Sequence, residues 1–374
     1  MRTIILYFII AVALFSSCGG KTTTGREECD TLALSYASRI SIERHDGFTL
    51  VRLADPWNAG RTLHSYVLVN RDSALPANLP LGTLVRTPLQ KAVVSTSVHC
   101  GLVLSLGKGE AIAGVCEPQY IHIPWIIERI ENGKIADCGS GLSPTVETII
   151  DLSPDAIFLS PFQNSGGYGQ LEHIGIPIIE TADYMETSPL ARAEWMKFYG
   201  LLFGADQEAD SLFNDTEQEY LRLKDLAARD TAHLSVLMDK QVGSVWYVPG
   251  GQSTIGRLLN DASAIYPWSD DVNSGSLQLP FESVLDKGTG CDVWLFRYNS
   301  PSDITYKELL SEHQGYDQFR AFKNRKAYGC NTATTDFYEQ TPFHPDRLLR
   351  DIIIITHPSL SLGKPLFFKP VADK

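Results

Sequence analysis

Apolar and small residues recur at steps of three and four through the middle of the chain. From Asp206 to Arg229 the positions Ala209, Leu212, Phe213, Thr216, Tyr220, Leu223 and Ala227 fall on one side, the period of a helix buried along a single face. At 1.5 Å per residue such a helix is roughly 35 Å long, about the width of a small domain, so it can join two lobes. Upstream, Ser188 followed by Pro189 reads as an N-cap and first helical position, with Gly204 as a stop, which predicts a preceding helical segment that packs on the first half of the chain.

On either side the period shortens. FTLVRLAD and LHSYVLVN, separated by the turn-forming PWNAGR, predict a β-rich preface over residues 40–86. From Lys91 onward short apolar runs (AVVST, AIAGV, DAIFLSP, IPIIETA) alternate with helical segments (SVHCGLVLSLG, SPTVETIIDLS, YGQLEHIG). After the central helix the runs HLSVLM, VGSVWYV, CDVWLFRY and AYGCN read as strands, and STIGRLLND, FESVLDKG and HPDRLLRDIIIITH as helices. Alternation of this kind specifies an α/β fold. The two halves also echo each other: Glu147-Thr-Ile-Ile-Asp151 before the strand DAIFL, and Glu282-Ser-Val-Leu-Asp286 before DVWLF, each behind a proline. A duplicated lobe explains the match.

The N-terminus adds a compartment. Met1-Arg2, the apolar run Ile4 to Phe15 and Ser16-Ser17-Cys18 have the layout of a lipoprotein signal: residues 1–17 are removed and Cys18 carries the lipid. A plain secretory signal or a short membrane anchor is the alternative. Either reading leaves 18–39 as a tether, 40–186 as the first lobe, 187–229 as the linking helices with the bridge at 206–229, and 230–374 as the second lobe. The net charge of −12, from 32 basic and 44 acidic side chains, excludes a nucleic-acid footprint. Six cysteines remain beyond Cys18; in an exported chain they permit disulfides, and buried free thiols are equally compatible. Neither CxxC nor HExxH occurs, and the nine histidines form no spaced ligand set, so no resident metal and no cofactor are expected.

In the order and spacing of VVSTS, IAGV, LSPTVETIIDLSPDAIFLSP, LEHIGIPIIET, FGADQEADSLF, LPFESVLDKGTGCDVWL and FHPDRLLRDIIIITHP, the stretch from about Lys91 to Leu360 resembles the helical-hinge substrate-binding proteins of bacterial ABC importers, the family that carries iron–siderophore complexes, haem or cobalamin. The resemblance implies two doubly wound α/β lobes joined by one long helix, and a ligand in the cleft between them. It also implies a monomer, lipid-anchored at the periplasmic face of a membrane, that delivers its ligand to a permease and ATPase complex. One exposed glutamate per lobe docks on permease arginines in that family, and Glu147 and Glu282 occupy those positions.

Ligands of open α/β sheets sit beyond the carboxyl ends of the strands. The residues there are Thr96 and Ser97, Glu117 and Tyr120, Phe162 and Gln163 in the first half, and Trp246, Tyr247, Arg297, Tyr298, Phe337 and Tyr338 in the second. Of these, Ser97, Tyr120, Phe162, Trp246, Tyr247, Arg297 and Tyr338 are the expected ligand contacts. Aromatic faces hold large planar or chelated ligands, although each ring taken singly also suits ordinary packing. Arg297 places an iron complex ahead of a corrinoid, because a guanidinium suits an anionic chelate. Against a lipid-anchored α/β hydrolase, neither a GxSxG elbow, a P-loop nor a GxGxxG after a strand is present. Against an all-β adhesin stand the repeated βα units.

Overall fold

The computed structural model describes residues 30–164 and 167–373, so that the signal segment 1–17, Cys18 and Cys29 lie outside the described residues. The preface is a five-stranded sheet in chain order: β1 (Asp30–Thr31), β2 (Ile40–His45), β3 (Phe48–Ala54), β4 (Thr62–Asn70) and β5 (Thr83–Thr87). Side chains alternate across a strand, so Ile40, Ile42, Val51 and Leu53 enter the first-lobe core while Leu50, Val67 and Val69 cluster on the opposite face. Residues 30–39, the second half of the stretch expected to be a tether, are held against the first lobe. The backbone N–H groups of Ser35, Tyr36 and Ala37 donate to the buried carboxylate of Glu194, each at 2.8 Å, and those of Ser38 and Arg39 to Glu186. Two carboxylates some 150 residues away therefore strap this segment onto the lobe.

The first lobe follows with β6 (Ala92–Val94), β7 (Ile112–Val115), β8 (Ala136–Asp137), a small hairpin of β9 (Gly139–Ser140) and β10 (Ser143–Pro144), then β11 (Ala156–Leu159) and β12 (Ile178–Glu180). Its helices are α1 (Ser97–Ser105), α2 (Pro124–Glu131) and α3 (Val146–Leu152). The parallel sheet has the order β12-β11-β6-β7-β8, so the winding reverses between β6 and β11. The edge strand β12 is closed by the preface: the Tyr66 hydroxyl of β4 donates to Ile178 O at 3.1 Å and accepts from Glu180 N at 2.8 Å.

Helices α4 (Pro189–Glu194), α5 (Met196–Phe203) and α6 (Asp206–Arg229) come next. Gly204, with φ 61°, ends α5 in the left-handed conformation that glycine adopts without strain. The 24 residues of α6 are shared between two cores. Ala209 and Phe213 pack with Trp195, Phe198 and Phe203 in the first lobe, whereas Tyr220, Leu223 and Ala227 belong to the core of the second.

The second lobe contains β13 (Val236–Met238), an antiparallel trio of β14 (Gln241–Val242), β15 (Val245–Pro249) and β16 (Ser276–Leu279), then β17 (Val293–Tyr298), β18 (Ala327–Asn331) and β19 (Lys369–Pro370). Strands β13, β17 and β18 are parallel neighbours and β19 closes β18 antiparallel. Its helices are α7 (Thr254–Asp261), α8 (Phe281–Gly288), α9 (Tyr306–Glu312), α10 (Arg320–Lys323), α11 (Phe337–Gln340) and α12 (Pro345–Thr356). The expected strand VGSVWYV thus exists, but in the antiparallel trio rather than in the parallel sheet.

A second connection crosses between the lobes. Phe343, just after α11, is buried in the first-lobe core, with its ring 5.8 Å from both His99 and Tyr199. Helix α11 lies so close to α1 that a Cβ added to Gly101 would stand 2.4 Å from Glu339 O. Gly101→Ala should therefore wedge α1 from α11 and, as overpacking of a tight contact does, cost about 1–3 kcal/mol. The expected readout is a lower urea midpoint; an unchanged midpoint would mean that the two helices part without loss.

Candidate functional site

The carboxyl ends of the two parallel sheets face each other. Helix α1, which leaves the end of β6, packs on α11, which follows β18, and His122 N, beyond β7, lies 3.5 Å from Glu339 Oε1. The gap between these ends is the candidate site, and the reversal between β6 and β11 opens onto it.

On the first-lobe side, Thr96 ends β6 and caps α1, its hydroxyl accepting from His99 N at 3.4 Å. His99 is buried. Its Nδ1 lies 2.6 Å from Thr96 Oγ1 and its Nε2 donates to Asp183 Oδ1 at 2.8 Å. Tyr199 OH and Arg192 Nε complete the set around Asp183 at 2.9 and 3.0 Å. Burial by itself would raise the Asp183 carboxyl, but His99 and Arg192 hold it down to about 2. The ionised carboxylate thereby fixes the strand end from beneath. Ser97, expected as a contact, is the half-buried first residue of α1. Glu117, with φ 51°, turns the chain after β7 and lifts Tyr120 into solvent, 59% exposed. Phe162, beyond β11, is also exposed, and with Leu142, Ser160 and Tyr168 it lines a cavity of about 340 Å³.

On the opposite side, Arg297 and Tyr298 at the end of β17, with Lys240, Val242 and Asn299, line a cavity of about 440 Å³. Arg297 does stand at the mouth, but its charge is paired: Nε and Nη2 donate to Asp239 at 3.0 and 2.8 Å. Tyr338 projects from α11, 45% exposed. Trp246 is a correction. Strand β15 alternates, so Trp246 is wholly buried while Tyr247 is exposed, and the Trp246 indole donates to Met238 O at 2.9 Å inside the second-lobe core. Tyr247 pairs in register with Gln278 of β16.

Glu147 and Glu282 are exposed in the first turns of α3 and α8, the helices that lead into β11 and β17. Among the described residues no three His, Cys, Asp or Glu side chains converge as metal ligands. The five described cysteines are buried thiols, each pushed up by burial, which leaves them unreactive. Sequence reasoning missed Asp239 and the α11–α1 contact. An aspartate directly after the strand run VLM was the one available signal for the first.

A family profile described as periplasmic binding protein matches residues 111–334. The chain is 23% identical over 401 residues to an uncharacterized lipoprotein of Methanocaldococcus jannaschii, covering 96% of this chain and 93% of that one. Among solved structures, it is similar to a periplasmic haem binding protein from Pseudomonas aeruginosa, with a TM-score of 0.57 at 15% identity, covering 76% of this chain and 98% of that chain. It is likewise similar to an ABC-type Fe3+-hydroxamate transport system from Saccharomonospora viridis, with a TM-score of 0.56 at 18% identity, covering 72% and 93%.

Because the native Asp183 carboxyl is held at about 2 and an unfolded aspartate titrates at about 3.9, its contribution to stability is complete above about pH 4 and is lost as the pH falls through about 2. Urea midpoints measured across that window should fall more steeply for the native chain than for Asp183→Asn. Parallel acid limbs would show that this network does not hold the carboxylate.

Proposed function

The chain belongs to the periplasmic binding protein family, and on that basis we propose that it captures a large metal chelate, an iron complex or a corrinoid, between its lobes and hands it to a membrane permease. It is a substrate-binding protein and not an enzyme. The observation that carries the reading is the pair of facing strand ends, which expose Tyr120 and Phe162 from one lobe and Tyr338 from the other. Rings in such positions bury a large apolar area against a flat or bulky ligand, and the two tyrosines keep a hydroxyl for hydrogen bonding. A chelate brings its own donor atoms, which suits walls whose described acidic and histidine side chains do not converge on one point. Lipid attachment at Cys18 would keep the loaded protein near the permease, and the lipoprotein relative supports that placement.

Native mass spectrometry of the protein purified from its source should show a retained ligand of chelate or corrinoid mass. Quenching of intrinsic fluorescence by ferric siderophores, haem or cobalamin is the parallel measurement, and silence across all three would remove the reading. Glu147 and Glu282 stand on corresponding helices, so a two-fold partner can engage both. Glu147→Ala combined with Glu282→Ala should leave ligand affinity unchanged and cut transport at least about tenfold, the loss of some 1.4 kcal/mol of docking energy. Lost ligand binding in the double variant would contradict the docking role.

A further inference from the structure

The charges on the second-lobe wall are settled before any ligand arrives. Asp239 lies one residue beyond β13 with φ 57°, a left-handed conformation that aspartate tolerates better than most residues. Its backbone is held on both sides: the N–H donates to Leu295 O at 2.7 Å, and the carbonyl accepts from the Trp294 indole at 2.6 Å. The carboxylate is thereby aimed at the end of β17, where it takes the two-pronged contact from Arg297, a geometry that fixes orientation as well as charge. Lys240, the next residue, is paired by a single contact with Glu312. Both cations of this cavity are thus cancelled by carboxylates of their own lobe.

The facing wall adds a carboxylate of its own. Glu117 is half-buried and has no Lys, Arg or His ion-pair partner among the described residues. Across the gap Glu339, on α11 of the second lobe, is a buried carboxyl that accepts from the backbone N–H of first-lobe His122. An anion entering this space meets excess like charge in a region of reduced dielectric, where repulsion is strongest. A neutral chelate meets none, and a cationic one gains.

We propose that the cleft admits neutral and cationic chelates and discriminates against anionic ones, and that Asp239 sets this selection by cancelling Arg297. The proposal rests on the reading of the inter-lobe gap as the ligand site, and it overturns the expectation that Arg297 recruits an anionic chelate.

The test holds ligand shape constant and varies charge. Dissociation constants are measured by fluorescence quenching at low salt for a linear ferric tris-hydroxamate with a free amine, for its N-acetyl derivative and for its N-succinyl derivative, which are cationic, neutral and anionic. Cyanocobalamin and its monocarboxylate form a second series. The expected result, in whichever series binds, is an affinity at least about tenfold weaker for the anionic member, with the gap narrowing as salt screens the walls. Asp239→Asn should narrow the gap by freeing Arg297. Glu312→Gln frees Lys240 at a more exposed position and should act in the same direction if the first variant does not fold. Equal or tighter binding of the anionic member by the native protein would overturn the proposal while leaving the ligand site standing. Absence of binding in both series would overturn both.

Discussion

One helix buried in two cores is the constraint on which the molecule depends. Phe213 of α6 is fixed among the aromatic residues of the first lobe and Tyr220, two turns on, among those of the second. Bending α6 between them would pull one of these rings out of its core, at about 1.5–3 kcal/mol for a fully buried apolar side chain. Tyr220 is further held by its hydroxyl on Asp261 at 2.7 Å. Wide hinge motions occur where loop residues absorb large backbone changes, and here the link is a packed helix. Phe343 adds a second restraint by crossing into the first-lobe core. The two sets of strand ends are consequently held at one separation by packing.

That constraint was legible because both cores bury the same face of α6: a single period of three and four runs unbroken from Ala209 to Ala227. The α/β alternation was legible for a similar local reason, since buried parallel strands read as short apolar runs. Trp246 was misread by treating it and Tyr247 as a strand-end pair. The period-two rule sends neighbours to opposite faces, and β15 obeys it. Other features were invisible because their cause is distant in sequence. Arg297 is paired 58 residues away, and the strap at 35–39 is held by Glu186 and Glu194, whose positions in sequence give no hint of such partners. A short segment next to a polar stretch reads as part of a tether until its acceptors are known.

The preface sheet lies before the stretch matched by the family profile, and its physical contribution is plain at β12. An edge strand of a parallel sheet presents unpaired N–H and C=O groups, a template for unwanted pairing. One hydroxyl, that of Tyr66, serves both kinds of group by donating to Ile178 O and accepting from Glu180 N. The inner face of the same sheet delivers Ile42, Val51, Leu53 and Val85 to the first-lobe core. The addition therefore thickens the lobe along β12 and brings Trp57, Leu63 and His64 beside Pro161 and Phe162 at the end of β11.

Rigid walls and paired charges support each other. A large ligand that fills the gap removes water from whatever lines it, and an unpaired ion there would lose its hydration with nothing in return. Arg297 avoids that loss because its counter-ion is fixed in place by Leu295 and Trp294, so the pair stays neutral when water leaves. Breaking such a pair is costlier than never having made it, since the charge left behind is stranded. The wall therefore keeps its ions paired, and on the proposed reading the aromatic residues exposed on either side, Tyr120 and Tyr338, would supply the contact area. Selection in this arrangement comes from which charges the ligand brings, set against a wall whose own cations are already balanced.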